Sequence, residues 1–303
     1  MRRVFAGVLA GCLAVLIVAS CGGGTTQPSP TPGGGGNGGG GGGGQQPPVN
    51  TPPQIKSFSV SDQRIEVGTP VTVTAFVEDA ETPLPNLTYT WTADNGTFSG
   101  SGPVVTWTAG QDAKTPGDFT LTLTVTEKLP AGSNPAQNTA TNSVKVHVNN
   151  SPKELADLSL RFLGNFGDSR VTPEICTSEF SDNCPGKKDE LKDITDNRHD
   201  FLILSSTLRS TGVQVASSRT SATVHTSCAF TSRVITRTPQ SGGCLASAGA
   251  CPFDSVQSVK GDCVTTNVYE NGRWWLCKSS FNPEGSATAF ARAFFGLNRI
   301  ELP

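Results

Sequence analysis

The chain reads as a multidomain protein: an all-β sandwich followed by an α+β domain, preceded by a signal peptide and a disordered glycine-rich linker. Three observations predict this. An apolar run behind Arg2 and Arg3 ends at "VASC", residues 18–21, and a tract of almost pure glycine follows. Between residues 54 and 149, short stretches alternate valine, leucine or phenylalanine with threonine. Beyond residue 150 the apolar spacing becomes helical, and all cysteines after Cys21 fall there.

Residues 1–20 carry the parts of an export signal: a positive start, then Val4 to Ala19 apolar or small throughout. The run is shorter than the roughly 20 residues of a spanning helix; a retained anchor is the alternative. "VASC" resembles the lipobox of bacterial lipoproteins. That resemblance implies that Cys21 receives a diacylglyceryl group on sulfur, becomes the mature N-terminus and is acylated again, while Cys12 is discarded. Each buried methylene is worth about 0.8 kcal/mol, and stable anchoring needs more than one chain. The residues after Cys21 are Gly22 to Gly24. They lack the aspartate that retains many lipoproteins at the inner membrane, so the resemblance favours the outer membrane where a cell has one.

Residues 21–53 hold no side chains able to form a core, so the entropy of ordering them is not offset. A glycine-rich coil of this length spans roughly 30 Å. It is a tether. Its match to G-x-G-x-x-G has no strand before it and no helix after it, and carries no meaning. The formal charge is −2, and loss of Arg2 and Arg3 with the signal makes it about −4. A mildly acidic chain excludes general nucleic-acid binding, which needs a basic stripe.

In the segment 54–149, Val71, Val73, Ala75 and Val77 alternate with threonine and phenylalanine, Phe119, Leu121, Leu123 and Val125 alternate with threonine, and "VKVHV" (144–148) does the same. Period two is the mark of strands with one buried face. Asn95-Gly96 lies between two such runs and predicts a hairpin. The stretches "NTPPQIKSFSVSDQRIEVGTPVTVTAFVEDAETPLPNLTYTW" and "GDFTLTLTVTE" resemble the immunoglobulin-like and PKD-type domains of bacterial surface proteins. The several short strands with turns between them match a seven-strand sandwich. No cysteine bridges its sheets, and "WTADNG" stands where typical PKD repeats carry "WDFGDG". Trp91 and Trp107 read as core, with a sugar-stacking platform as the alternative. Glu78, Asp79 and Glu81 share a loop that could suit calcium, although a solvated turn fits three unpatterned carboxylates better.

Residues 150–303 open with Leu155, Leu158, Phe162, Leu163 and Phe166 on one helical face, started by Ser151, Pro152 and Glu154. A second helix with a charged outer face, inward Leu191 and Ile194, is predicted over 187–201. "FLILSSTL", "VQVASS" and "SATVHTSCAFTSRVIT" read as strands, and "CVTTNVYENGRWWLC" (263–277) as a hairpin about Asn271-Gly272. The opening helix, "SATVHTSCAF" and "YENGRWWLCKSSF" resemble the nuclear transport factor 2-like (ketosteroid isomerase-like) family, whose curved sheet wraps a helix as a cone. The cysteine-rich insert at 238–263 departs from it.

The candidate disulfide residues are Cys176, Cys184, Cys228, Cys244, Cys251, Cys263 and Cys277. An exported chain favours bridges over zinc, since no C-x-x-C pair or Cys–His ligand spacing occurs. The odd number leaves one thiol free or paired to another chain. Short loops suggest Cys176–Cys184 and Cys244–Cys251.

The cone resemblance implies a pocket in which some members place an Asp/His/Tyr set; here Asp196, His199, Asp200, His225 and Tyr269 are the candidates. Asp196, His199 and Asp200 also read as solvated charges at a helix end, and His225 as outward-facing beside Thr223 and Ser227. Trp274 and Trp275 point to opposite faces. No nucleophile elbow, H-E-x-x-H, Walker loop or paired-carboxylate motif occurs. The expected function is a non-enzymatic, lipid-anchored envelope module that binds a protein or glycan, with no cofactor, metal or nucleic acid. An acid–base enzyme of the cone pocket and a subunit of an envelope or secretion complex are the alternatives.

Overall fold

The computed structural model describes residues 50–128, 138–242, 244, 249–284 and 289–295. The signal, Cys21 and nearly all of the linker lie outside these residues. No described helix is long and apolar enough to cross a membrane.

The first half is a sandwich of two four-stranded sheets. One has the order β1 (Gln54–Val60), β3 (Pro70–Glu78), β6 (Val104–Thr108), β5 (Thr97–Ser99). The other runs β2 (Arg64–Glu66), β8 (Thr139–Asn149), β7 (Gly117–Glu127), β4 (Leu87–Ala93). Pairing is antiparallel apart from the short β2–β8 contact. The expected alternation holds: Val71, Val73, Ala75 and Val77 on β3, and Phe119, Leu121, Leu123 and Val125 on β7, are buried while the intervening threonines face water.

Trp107 is fully buried, and its Nε1 donates to the Asn95 carbonyl at 3.0 Å. Trp91 is half-buried between Phe58 and Phe98, with ring centroids 5.5 and 5.8 Å away. Both belong to the core. Asn95-Gly96 corrects the hairpin expectation, because β4 and β5 belong to different sheets. The turn instead carries the chain between layers. Asn95 accepts from the Gly110 N–H, and Gly96 has φ +83° with the Thr108 carbonyl and the Trp107 indole where a Cβ would stand.

The second half is an antiparallel meander with the order β12 (Arg273–Pro283), β11 (Val256–Glu270), β10 (Ser221–Val234), β9 (Phe201–Val215). Helix α1 (Ser151–Gly167) packs on one face through Leu155, Leu158, Phe162, Leu163 and Phe166, all buried. Its cap is Asn150, one residue before the expected start: Asn150 Oδ1 accepts from Lys153 N, and Glu154 returns to Asn150 N at 2.6 Å. Ser151 is diverted to another role, described below. The helices α2 (Pro173–Cys176) and α3 (Gly186–Asp200) follow α1 along the chain, before β9. A last helix, α4 (Ala289–Phe295), closes the core.

One departure occurs in this half. "FLILSSTL" and "VQVASS" do not form separate strands; β9 runs continuously from Phe201 to Val215, with register breaks opposite His225/Thr226 and Thr231/Ser232. The Asn271-Gly272 hairpin is found as expected, with φ of 51° and 79°. Trp274 is buried and Trp275 half-exposed under Arg273, whose guanidinium lies 3.6 Å from its ring centroid.

The halves meet through a polar joint. Arg64 Nη1 donates to the Arg219 carbonyl and Arg219 Nη1 to the Arg64 carbonyl, each at 2.6 Å. Arg219 also reaches Asp62 at 2.8 Å. The Arg64 guanidinium lies 3.3 Å from the Tyr269 ring centroid, and its Nε shares Asn149 Oδ1 with the Tyr269 hydroxyl. Glu66 accepts from both the N–H and the hydroxyl of Ser151, whose oxygen also receives Trp274 Nε1. Burial pushes the Asp62 carboxyl up, but the Arg64 N–H and the Arg219 charge outweigh it and hold it below its ordinary value.

Candidate binding surface

Of the residues that the pocket reading would gather, the structure pairs His199 with Asp200 and places Asp196, His225 and Tyr269 with other partners. Tyr269 belongs to the joint, and burial pushes its phenol up. His225 lies half-exposed on the outer face of the sheet, its Nδ1 2.7 Å from Asp262 across the β10–β11 register. Asp262 was not legible as its partner, because strand register is not written in either segment. Asp196 pairs with Lys192 one turn earlier on α3.

Asp200 corrects the solvated reading: it is fully buried. It accepts from Gln240 N at 2.8 Å and Ser241 N at 2.6 Å, with His199 Nδ1 2.8 Å away. Burial raises its carboxyl, yet these donors outweigh burial and lower it. Asp200 thus fastens the cysteine-bearing segment after β10 to the end of α3. Glu190, on the same helix, is buried too and accepts from the Ser279 hydroxyl.

Three disulfides staple this half: Cys184–Cys277, Cys228–Cys263 and Cys244–Cys251. The expected Cys176–Cys184 bridge is not formed. Cys184 instead ties the segment before α3 to β12, and Cys176 is a buried free thiol that burial pushes up. The loop Glu78–Glu81 turns its carboxylates to separate partners. Glu78 faces Lys56, Asp79 accepts from the Glu81 and Thr82 N–H groups, and Glu81 accepts from Thr51.

The space between α1 and the sheet is filled. Phe166 contacts Phe230, Phe294 and Phe295, and Phe281 stacks on Phe295 with centroids 4.0 Å apart. A gap of about 10 Å³ beside Phe162 and Cys263 remains, room for one water at most.

Open clefts lie outside that core, one of about 220 Å³ with Glu154, Asp157, Arg161 and Arg273 in its walls, and an apolar one. A cleft of about 350 Å³ is lined by Val171, Pro173, Phe201, Leu202 and Ile235, with Arg170 and Arg198 among its polar walls. Leu202 is 41% exposed, Leu204 46%, Ile235 43% and Ile175, on the neighbouring α2, 53%. Scattered apolar side chains are ordinary, whereas a contiguous group around a depression marks contact sites. Arg198 is held in place by donating to the carbonyls of Asn165, Phe166 and Asp168 at the end of α1. The Asp168 carboxyl, gripped first by the Arg170 side chain, falls to about 2.

The PKD domain family matches residues 57–148. With the two-sheet architecture around Trp107, this makes the segment an immunoglobulin/PKD-type sandwich domain. No curated protein matches the chain. Among solved structures, a conserved protein from Planctomyces limnophilus is 19% identical, covering 44% of this chain and 98% of its own, with a TM-score of 0.29. The N-terminal Ig1-2 module of the Drosophila receptor protein tyrosine phosphatase DLAR is 7% identical over 76% of this chain and 97% of its own, at 0.22. A nucleoside hydrolase-related hypothetical protein from Saccharophagus degradans is 17% identical at 0.25; the match covers 33% of this chain and about a quarter, 26%, of that protein. Similarity at these levels says nothing of function. The sandwich domain and the three disulfides together indicate an extracytoplasmic domain.

Proposed function

We propose that the protein is a lipid-anchored, non-enzymatic binding module of a bacterial cell envelope. Residues 1–20 are the cleaved signal, and Cys21 carries the lipid at the head of a tether reaching to residue 53. The sandwich, 54–149, acts as a stiff spacer for the domain 150–303, a nuclear transport factor 2-like cone whose interior is packed. The packed core supports this reading: among the described residues the gap beneath α1 is about 10 Å³, too small for a substrate, while the apolar cleft at Leu202 and Ile235 stays open. On this reading the ligand is a protein surface that covers the cleft.

Two measurements test the reading. Mass analysis of the mature N-terminal peptide is expected to find acylated Cys21, and Cys21→Ser to release the chain from membranes; an unmodified peptide beginning before Cys21 overturns the anchor. Affinity purification from gently solubilised envelopes should recover a stoichiometric partner that Ile235→Glu loses. Identical recovery with Ile235→Glu and wild type overturns the cleft.

A further inference from the structure

We propose that β9 is a docking edge at which an extended acidic peptide of a partner protein adds as a fifth strand, seating one apolar side chain in the cleft at Leu202. The proposal rests on the cleft being the binding surface and specifies how a partner engages it.

The two edges of the C-terminal sheet are treated differently. Strand β12 is covered: Leu276 N–H donates to the Glu179 carbonyl at 2.9 Å, Ser181 N–H to the Leu276 carbonyl at 2.8 Å, and Cys184–Cys277 clamps the covering segment. Among the described residues strand β9 pairs only with β10. Among the described residues its outer side receives one bond, from Ile203 N–H to Ser169 Oγ at 2.9 Å. From there on, alternate residues turn N–H and C=O groups to water, a template for another strand.

The register breaks set the length of that template. Between them, Ser205 to Ser210 pair with β10 without interruption. Six residues at about 3.3 Å each give a straight edge of roughly 20 Å. Ser169 blocks pairing at Ile203, so an added strand leaves the edge beside Leu202 and Leu204, where the cleft opens. Backbone pairing would supply affinity, and the cleft would choose a side chain.

Charge selects the partner's sign. The fifteen residues of β9 hold one ionisable side chain, Arg209, which is exposed and in no ion pair among the described residues. Arg198 binds carbonyls, and Arg237 lies 4.1 Å from the Phe253 ring centroid. Of the acids near the cleft, Asp168 pairs with Arg170, Asp254 with Arg233, and buried Asp200 with His199 and two backbone N–H groups, while Glu174 on α2 is exposed. Arg209 thus offers an exposed cation on the strand that no described carboxylate pairs, which favours an added peptide carrying carboxylates that alternate with apolar residues.

The test uses the mature chain and three eight-residue peptides: alternating Val and Glu, the same with alternate N-methylated amides, and alternating Val and Lys. The Val/Glu peptide should slow amide exchange of alternate residues between Ser205 and Ser210 at least tenfold. Its affinity should fall at least tenfold on N-methylation or with Arg209→Glu, and the Val/Lys peptide should bind at least tenfold more weakly. Binding that leaves β9 exchange unchanged, survives N-methylation or ignores charge overturns the proposal, as does no binding at millimolar peptide. If Ile235→Glu still abolishes partner recovery in any of these cases, the cleft stands and strand addition alone is lost.

Discussion

The joint between the halves predicts that the described body unfolds as one unit, and Arg64→Ala tests it. That substitution removes the 2.6 Å bond to the Arg219 carbonyl, the 3.0 Å bond to Asn149 and the guanidinium stacked on Tyr269. Hydrogen bonds from a charged donor contribute about 1.5–3 kcal/mol each when buried. A cation over a ring adds about 0.5–2 kcal/mol. Arg64 is only partly buried, and solvent screening takes the total below the sum of those lower values, to about 2–3 kcal/mol. For a body of this size that lowers the melting midpoint by about 5–10 °C. Scanning calorimetry should show one wild-type transition with equal calorimetric and van't Hoff enthalpies. The Arg64→Ala/Arg219→Ala double variant should resolve into two. Two transitions in the wild type, or a shift below about 1 °C in Arg64→Ala, would refute a joint that couples the halves.

Asp200→Asn keeps the shape but loses the charge that three donors hold, and should cost about 2–4 kcal/mol at pH 7 by urea unfolding. Because the folded carboxyl is lowered, its contribution is present above the unfolded value near ~3.9 and is lost as pH falls through the folded value. The gap between variant and wild type should therefore narrow below about pH 4, and a constant gap contradicts the assignment. Gly96→Ala forces a side chain into positive φ against the Thr108 carbonyl and should destabilise by more than about 2 kcal/mol, read from the denaturant midpoint. Cys228→Ser/Cys263→Ser opens a cross-link of 35 residues, worth about 4 kcal/mol of unfolded-state entropy, and should lower the melting midpoint accordingly.

What the residues disclosed depended on the range of the interaction. Period two in β3 and β7, and the helical stripe of α1, survive in the structure because local pattern and burial agree at each position. Where a partner lay far along the chain, the local signal misled. Asn95-Gly96 has the chemistry of a hairpin, but the buried indole of Trp107 claims the Asn95 carbonyl and turns the chain into the opposite sheet. Ser151 looks like a cap, yet Glu66, 85 residues earlier, takes its N–H and leaves capping to Asn150. Asp200 ends a charged helix and reads as solvated until the segment forty residues on supplies its donors. Spacing favoured Cys176–Cys184, whereas the fold pairs Cys184 across 93 residues with Cys277.

The packed interior is a property of particular side chains rather than of the architecture, and Phe295→Ala separates the two. Phe295 stacks on Phe281 and meets Phe166, Phe230 and Phe294, so its removal leaves an apolar void beneath α4. The loss should be about 3–5 kcal/mol, tolerable while the disulfides hold the sheet. An apolar void of that size stays dry and admits small apolar molecules. Benzene titration followed by NMR should therefore shift resonances lining the void in Phe295→Ala and leave the wild type unchanged. Saturable benzene binding inside the wild-type core would mean that a pocket already exists there, and the argument from a filled core to a surface ligand would fail.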